Sequence, residues 1–282
     1  MKKYLSLIKF SHTIFAMPFA LIGFFLATES YEFEWITLLY VVFCMVFARS
    51  AAMAFNRYID RDIDKANERT AQIREIPNGT ITAKNALIFV FINSLLFIGT
   101  TYLINPLCLT LSPVALLVIL GYSYTKRFTA LCHLVLGLGL SLAPIGAYLA
   151  VSGEFAIIPI LFSFVVLFWV SGFDIIYSLQ DEEFDKTRKL HSIPVLLGKK
   201  NALSLSKFLH LISIIALTFA GTMGEFGKFY WIGFSIFSAL LIYQHTLVKH
   251  NNLSKVNLAF FTTNGIASVI FGLFVITDVL LK

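Results

Sequence analysis

The sequence predicts an all-α integral membrane protein with nine transmembrane helices. Of its 282 residues, 58% are hydrophobic and only 13% are charged, and the mean hydropathy is +0.81. A soluble domain of this size does not tolerate that balance on its surface. Apolar runs of about 20 residues, the length that crosses a ~30 Å hydrocarbon core, recur along the whole chain.

The spans are separated by short polar connections, which set their limits. We predict them at residues 12–28, 35–55, 84–104, 106–122, 130–150, 156–176, 203–221, 228–247 and 257–280. Lys2 and Lys3 before the first span resemble the start of a signal peptide, but no convincing small-residue cleavage site follows. The first span is therefore predicted to be retained.

The charge of the connections alternates and predicts an orientation. Five connections on one side are basic: the N-terminus with Lys2, Lys3 and Lys9, residues 57–84, Lys126 with Arg127, residues 186–200, and Lys249 with Lys255. The opposite connections are short and poor in cations. The positive-inside rule places the N-terminus in the cytoplasm and the C-terminus outside. We expect a multi-pass protein of the cell inner (plasma) membrane.

Composition and charge also argue against a nucleic-acid partner, a redox role for the cysteines and a second domain. The net charge of +6 is explained by this cytoplasmic collar of cations, so no nucleic-acid partner is expected. Cys44, Cys108 and Cys132 lie in or beside apolar spans without CxxC spacing, which is typical of packing. No linker divides the chain, so residues 1–282 are predicted to form one membrane domain, with no obligate protein partner evident.

The first of two unusually long cytoplasmic connections begins with an aspartate motif. It reads Asn56-Arg-Tyr-Ile-Asp60-Arg-Asp-Ile-Asp64 and follows an apolar helix without Gly or Pro, so the helix is predicted to continue into it. At 100° per residue, Asn56, Asp60 and Asp64 share one face, about 6 Å apart, and Asp62 points away.

The second long connection repeats this arrangement. Asp174, Asp181 and Asp185 share a helical face in Asp174-Ile-Ile-Tyr-Ser-Leu-Gln-Asp181-Glu-Glu-Phe-Asp185, with Glu182 and Glu183 turned aside. Asp174 lies nearest the hydrocarbon, where an ionised carboxylate is costly unless it serves a site.

The aspartates fit a site for Mg²⁺ and a diphosphate. Each motif alone could be a solvated helix end, but two on one membrane side argue for a shared site. Facing carboxylates require cations, and Mg²⁺ takes one or two carboxylates together with water and phosphate oxygens. Basic residues beside the motifs are candidates to bind the diphosphate: Arg69, Arg74, Lys126 and Arg188, with Tyr122 one helical turn before Lys126.

Arg49 is the most unusual residue because it lies within an apolar span, about two turns from Asn56 and on the same face. A guanidinium keeps its proton and must find a carboxylate or a wet cavity. One interpretation is an internal ion pair with Asp174. The other, which we favour, is recognition of a substrate carboxylate by the planar guanidinium.

The motif Asn56 to Asp64 resembles the NxxxDxxxD motif of the UbiA prenyltransferase superfamily, and Asp174 to Asp185 resembles its second aspartate motif. The likeness extends through Arg69-Thr70, Tyr122 to Arg127 and His191-Ser-Ile-Pro194. It implies nine helices around a central cavity that is capped on the cytoplasmic side. The metal-binding residues it implies are Asn56, Asp60, Asp64, Asp174, Asp181 and Asp185.

The resemblance also implies a reaction. Mg²⁺ and the basic residues would stabilise the departing diphosphate of a polyprenyl diphosphate, and an electron-rich aromatic ring carbon would attack the allylic cation. Asp60, Asp181 and Lys126 are predicted to be catalytic. The branch resembling 4-hydroxybenzoate polyprenyltransferase has an arginine at the position of Arg49 that is implicated in holding the acceptor's carboxylate. Glu75 stands where relatives usually have a proline, which is expected to loosen the loop and weakens the Arg74 assignment.

The sequence leaves other functions and another acceptor open. A transporter would have polar residues midway along several helices and Gly- or Pro-interrupted spans, of which 137–144 is a small example. A CDP-alcohol phosphotransferase would carry a glycine-interrupted aspartate pattern, which this chain lacks. Both 4-hydroxybenzoate, leading to ubiquinone, and a dihydroxynaphthoate, leading to menaquinone, offer a carboxylate to Arg49.

Overall fold

The computed structural model describes residues 2–8 and 15–282, and within them the regular structure is helical apart from one isolated bridge between Lys249 and Asn252. The helices are α1 (Lys2–Leu7), α2 (Met17–Ala27), α3 (Trp35–Ile59), α4 (Arg61–Ala66), α5 (Glu68–Ala71), α6 (Ala83–Ile104), α7 (Pro106–Thr125), α8 (Cys132–Ser152), α9 (Ile157–Ser178), α10 (Glu182–Thr187), α11 (Ile193–Met223), α12 (Lys228–Leu247) and α13 (Asn264–Leu280). A 3₁₀ turn, Leu179–Asp181, precedes α10, and a π-helical turn, Leu258–Thr263, precedes α13.

Seven helical segments in the described residues are long and apolar enough to cross a bilayer. They correspond to seven of the nine predicted spans. Of the other two, α2 has 11 residues, about 17 Å at 1.5 Å per residue, and residues 12–14 and Lys9, which belong to the predicted first span and N-terminal collar, lie outside the described residues. Helix α12 has 20 residues but carries polar side chains such as Gln244 and His245 that lower its hydropathy.

The outer surface of the bundle is apolar. Phe91, Leu117, Phe208 and Leu273 on four different helices are between 57% and 74% exposed. Such side chains would be unfavourable in water, whereas lipid tails solvate them. This surface indicates a multi-pass membrane protein.

Aromatic side chains fill the core between α2, α9, α12 and α13. Trp169, Phe19, Phe237 and Phe271 are fully buried. Their ring centroids lie 5.2–6.3 Å apart in tilted and T-shaped pairs. This spacing is within the favourable range for aromatic pairs, so this side of the bundle is densely packed.

Small residues allow helix α8 to approach its neighbours closely. A Cβ at Gly137 would overlap the Leu167 carbonyl of α9, and one at Gly23 would overlap the Pro144 carbonyl. Small residues at such crossings are typical of membrane bundles. The glycine-rich part of α8 is therefore a packing surface within a continuous helix, which argues against the broken-helix interpretation that a transporter requires.

Candidate active site

A polar cavity of about 210 Å³ lies where the ends of α3, α7, α8 and α9 meet the α4–α5 and α10 segments. All six predicted metal ligands line it: Asn56, Asp60, Asp64, Asp174, Asp181 and Asp185. Four predicted diphosphate-binding residues do so as well: Arg69, Arg74, Tyr122 and Lys126. Residues that are far apart in sequence therefore converge on one cavity.

The first aspartate motif crosses a break in the helix rather than continuing it. Asp60 lies between α3 and α4 with φ −89° and ψ 5°. The hydrogen bonds from Asp60 N to Asn56 O (2.9 Å) and from Asp64 N to Asp60 O (2.7 Å) keep the helical spacing across the break. Asn56, Asp60 and Asp64 therefore reach the same cavity, while Asp62 has an 85% exposed side chain.

The second motif also changes its helical form. Asp174 lies in α9, Asp181 ends the 3₁₀ turn and Asp185 lies in α10. The two glutamates point elsewhere, as the sequence predicted. Glu183 is exposed, and the buried Glu182 pairs with Lys186 at 2.6 Å and with Lys199 at 3.8 Å. Lys199 follows Gly198, whose φ of 72° kinks α11, a conformation that favours glycine.

Asp60 is neutralised by the turn that follows α7. Lys126 Nζ lies 3.2 Å from Asp60 Oδ2, and Arg127 Nη1 lies 3.1 Å from Oδ1. Arg127 also donates to the carbonyls of Ile59 (2.8 Å) and Ser123 (3.0 Å). Arg127 thus holds the helix break in the first motif in place. Lys126 makes fewer contacts than Arg127 and can therefore reach a ligand more readily.

Asp181 is held by Arg69 in a two-point ion pair. Arg69 Nε and Nη2 lie 3.1 Å and 2.5 Å from its two carboxylate oxygens, a geometry that the planar guanidinium favours. Arg69 Nη1 also donates to the Tyr177 hydroxyl at 3.1 Å, and Asn67 Nδ2 donates to Asp181 Oδ1 at 3.2 Å. These contacts link the second motif to α5, the short helix that follows the first motif.

Asp64 and Arg74 are less completely paired. Their nearest charged atoms are 3.8 Å apart, and both atoms, Asp64 Oδ2 and Arg74 Nη1, are buried without a hydrogen bond. Burial raises the pKa of Asp64 to about 6, because a buried carboxylate lacks the solvation of its charged form. An additional ligand between them would satisfy both groups.

The donor set suits a hard divalent cation that shares its coordination with phosphate. Within the described residues, no three His, Cys, Asp or Glu side chains lie close enough to hold a metal by themselves, and Asp60 and Asp181 are held by Lys126, Arg127 and Arg69. Mg²⁺ typically takes only one or two carboxylates and completes its octahedron with water and phosphate oxygens. Asp64 Oδ2, which lacks a hydrogen bond, is an oxygen of the required kind.

Asp174 has a partner that sequence reasoning missed. His133 Nδ1 lies 2.7 Å from Asp174 Oδ2, and the Ile193 N–H points to His133 Nε2 at 3.3 Å. The suggested ion pair between Arg49 and Asp174 is absent among the described residues, so the second interpretation of Arg49 gains support.

Arg49 lines a second, apolar cavity. This cavity has a volume of about 360 Å³ and is enclosed by α3, α6, α7 and α8, with Ala16 and Phe155. Arg49 Nε is buried without a hydrogen-bond partner. Tyr122 and Leu136 line both cavities, so the guanidinium lies on the apolar side of a boundary beyond which the aspartates lie.

Two other residues singled out in the sequence, Arg188 and Glu75, do not line the polar cavity. Arg188 is exposed, with its guanidinium 5.8 Å from the centroid of the Phe184 ring, and it does not line the polar cavity although Phe184 does. Glu75, expected to loosen its loop, is 3% exposed and accepts a 2.5 Å hydrogen bond from Ser6. It joins α1 to the loop that carries Arg74.

The residues that sequence reasoning missed are Asn67, Arg127, His133 and Tyr177. Arg127 had a signal, since it adjoins Lys126 in a basic turn. His133 had a weaker one, a lone histidine at the predicted cytoplasmic end of a span. Neither pattern shows which residue the side chain contacts, because the contacting residues lie on other helices.

Comparison with known proteins supports the fold and shows the family. Residues 16–266 match the UbiA prenyltransferase family. The chain is 31% identical over 247 residues to the 4-hydroxybenzoate octaprenyltransferase of Vibrio vulnificus strain CMCP6, covering 86% of this chain and 85% of that protein. It is 30% identical to the protein of the same description from Vibrio parahaemolyticus serotype O3:K6, with coverages of 84% and 83%.

Solved structures of related proteins share the architecture. A UbiA homologue from Aeropyrum pernix K1 superposes with a TM-score of 0.86 at 31% identity, over 95% of this chain and 98% of the other. A UbiA homologue from Archaeoglobus fulgidus bound to DMAPP and Mg²⁺ has a TM-score of 0.76 at 20% identity, with coverages of 99% and 100%, and this second likeness is one of fold. The chain belongs to the UbiA prenyltransferase family and is a multi-pass membrane prenyltransferase.

Proposed function

We propose that this protein transfers the polyprenyl chain of a polyprenyl diphosphate to a ring carbon of a carboxylated hydroxy-aromatic acid, of the 4-hydroxybenzoate kind, in quinone biosynthesis. The observation that carries the proposal is the contact between two unlike cavities. One is lined by aspartates and cations, and the other is apolar with a single arginine, and Tyr122 and Leu136 belong to both. A substrate with a diphosphate head and a hydrocarbon tail matches this pair.

The two motifs, Asn56 to Asp64 and Asp174 to Asp185, would hold Mg²⁺ in the polar cavity. Bound there with the diphosphate, Mg²⁺ would act as a Lewis acid that stabilises negative charge on the leaving group. A relative of the same fold is consistent with this assignment, since the Archaeoglobus fulgidus homologue binds DMAPP and Mg²⁺.

The basic residues would exchange partners when substrate binds. Lys126 and Arg69 now neutralise Asp60 and Asp181, and a bound metal would release them to donate to phosphate oxygens. Arg74, whose Nη1 lacks a hydrogen bond, is available without rearrangement, and Arg188 would reach the phosphate from the rim. The site thus exchanges ion pairs instead of leaving charges bare.

With these protein groups around the diphosphate, the carbon–oxygen bond between the prenyl chain and the diphosphate would break more readily. The diphosphate would leave with the electron pair, a ring carbon ortho to the phenol would attack the allylic cation, and the ring proton would pass to an oxygen of the departed diphosphate. The apolar cavity serves this step by excluding water and holding the ring close.

Arg49 would bind the acceptor's carboxylate. It is the guanidinium within the apolar cavity, its Nε has no partner, and an unpaired Arg at such a depth costs about 3 kcal/mol or more. The description of the Vibrio relatives as 4-hydroxybenzoate octaprenyltransferases favours this acid over a dihydroxynaphthoate.

We further propose that residues 1–282 form one membrane domain with nine spans, in which α2 and α12 complete the bundle. The N-terminus and both aspartate motifs would face the cytoplasm, as the basic connections indicate. The bacterial relatives favour the inner membrane.

The test uses purified protein in detergent with Mg²⁺ and a polyprenyl diphosphate, offered 4-hydroxybenzoate, 1,4-dihydroxy-2-naphthoate or 4-hydroxybenzamide. Product from the acid and little from the amide is expected, because the amide lacks the charge that Arg49 binds. Asp181→Asn should abolish transfer, and Glu183→Gln, exposed in the same motif, is the matched control. Absence of product from every acid with the wild type would overturn the proposal.

Arg49→Ala tests the acceptor assignment separately. It should raise KM for 4-hydroxybenzoate strongly while leaving KM for the prenyl diphosphate near its original value, and it should reduce the preference for the acid over the amide. Ser50→Ala, a buried neighbour that does not line the apolar cavity, is the control. An equal loss with both acceptors would contradict the carboxylate assignment.

A further inference from the structure

His133 lies between two segments that form the polar cavity. It is the second residue of α8 and is 3% exposed. Its Nδ1 contacts Asp174 Oδ2 at 2.7 Å, and its Nε2 receives the Ile193 N–H at 3.3 Å. The imidazole therefore joins α9 to the first turn of α11.

The two partners determine which ring nitrogen carries the proton. A backbone N–H only donates, so Nε2 presents its lone pair to Ile193, and the ring proton is on Nδ1, where it donates to Asp174. A His–Asp pair beside a cavity would otherwise suggest a general base. Here the single lone pair of the neutral ring is already engaged, so His133 is not available to accept a proton from substrate.

The backbone around this pair is also restrained. Ser171 Oγ, one turn before Asp174 on α9, lies 2.6 Å from the Leu167 carbonyl of its own helix and 3.2 Å from the His133 carbonyl. The His191 N–H donates to the Lys126 carbonyl at 2.7 Å. The position of His133 is thus fixed relative to α9 and to the segment that leads into α11.

The hydrogen bond leaves one oxygen of Asp174 for a ligand. Among the residues the structure describes, the His133 ring is the hydrogen-bond partner of the Asp174 carboxylate, and it occupies Oδ2. Asp174 lines the polar cavity and its side chain is 22% exposed. A carboxylate on a single bond can rotate, and a hydrogen bond to one oxygen restrains that rotation.

We propose that His133 is a positioning residue, which holds the Asp174 carboxylate so that Oδ1 faces the divalent cation and diphosphate in the polar cavity. The proposal rests on the proposed function, because it assumes that Asp174 ligates the cation. Groups that hydrogen-bond a ligating side chain commonly change metal affinity or activity by about 10- to 100-fold when removed.

Two substitutions separate the two hydrogen bonds. His133→Asn keeps an N–H near the place of Nδ1 and loses the acceptor for Ile193. His133→Gln keeps a polar atom near the place of Nε2 and loses the donor to Asp174. His250→Asn, in the exposed turn after α12, is the control for a histidine change of the same kind.

The first measurement is Mn²⁺ binding to the full-length protein in detergent with inorganic diphosphate, followed by the electron paramagnetic resonance signal of free Mn²⁺. We expect His133→Gln to weaken binding by about 10- to 100-fold, with His133→Asn and His250→Asn close to the wild type. In turnover, His133→Gln should lower kcat and leave KM for the acceptor unchanged.

Several outcomes would overturn the proposal. Equal weakening by Asn and Gln, with equal losses in unfolding temperature, would indicate a structural role. Binding unchanged in both would remove any role, and loss of an ionisation from the pH–rate profile in His133→Gln would indicate a base. If the wild type binds Mn²⁺ and diphosphate but prenylates no acid, the proposed function fails while the positioning role is still tested.

Discussion

The two sides of the helical bundle are packed differently. In the most apolar stretches of α9, α11 and α13, between 44% and 56% of the residues are buried inside the protein. In the corresponding stretches of α3, α6 and α7, only 17% to 28% of the residues are buried. The first group, with α2 and α12, surrounds an aromatic core. The second group, with α8, surrounds the apolar cavity of about 360 Å³.

Buried carboxylates show the same contrast. Asp278 on α13 accepts hydrogen bonds from the backbone N–H groups of Gly227, Phe229 and Tyr230, and so caps the start of α12. Asp64, in the polar cavity, leaves Oδ2 without a hydrogen bond. A satisfied buried group stabilises the fold, and an unsatisfied one costs free energy unless a ligand completes it. The packed aromatic side is therefore built for stability, and the two cavities, one of which α9 lines with Asp174, are built for binding.

The largest expected effect is on the polar cavity. Asp60→Asn should lower kcat by about 100-fold or more, as the loss of a principal electrostatic group does, while thermal unfolding stays close to the wild type. Asp62→Asn, in the same motif with an exposed side chain, should keep nearly full activity. Equal losses in both variants would contradict the division into cavity and solvent-facing aspartates.

Adding volume should affect the two sides in opposite ways. Ala115→Phe places a ring in the apolar cavity, so we expect an unfolding temperature near the wild type and at least tenfold lower turnover. Ala267→Phe places the same ring in the aromatic core, where Ala267 is fully buried. Overpacking there costs about 1–3 kcal/mol or more. Differential scanning fluorimetry measures the unfolding temperature, and turnover is measured as activity per folded molecule. If Ala115→Phe destabilised the protein and Ala267→Phe did not, the assignment of the packed and open sides would be wrong.

Loss of the cap on α12 should reduce stability without touching chemistry. Asp278→Ala leaves the N–H groups of Gly227, Phe229 and Tyr230 unpaired, which should cost about 1–3 kcal/mol. The unfolding temperature should fall, and KM values for both substrates should not change. A shifted KM would indicate that the packed side also shapes the binding site.

The smallest effect concerns protonation of Asp64. Its pKa is raised to about 6 by burial, so in the metal-free protein its neutral form should appear as the pH falls through about 6, well above the ordinary range of an aspartate. Difference infrared spectroscopy of the protonated carboxyl band, with Asp64→Asn as the reference, measures this. Mg²⁺ with diphosphate should remove the band, since a ligand must be ionised.

Part of the site follows from helical spacing. Asn56, Asp60 and Asp64 repeat every four residues, and the three second-motif aspartates are nearly in phase, so sequence predicts that each set shares a face. Both sets do line the cavity, although α3 breaks at Asp60 and α9 ends in a 3₁₀ turn. Those breaks follow local hydrogen bonding and tertiary contacts, which periodicity does not reveal.

The side-chain partners of the aspartates were beyond the reach of sequence. Asp60 meets Arg127, Asp181 meets Arg69 and Asp174 meets His133 across separations of 67, 112 and 41 residues. Which cation faces which carboxylate depends on how helices rotate and cross, and many arrangements satisfy the same composition. For the same reason, the sequence alone leaves Arg49 with two possible partners, Asp174 and a substrate carboxylate.

Hydropathy and the spacing of residues along one helix are local properties, and they were sufficient to predict a helical membrane protein with two aspartate-rich helix ends. The fold then showed that these ends share one cavity, that Arg49 lies in an adjoining apolar one and that His133 contacts Asp174. Each of those results requires contacts between helices that are distant in the chain, and packing of whole helices selects them.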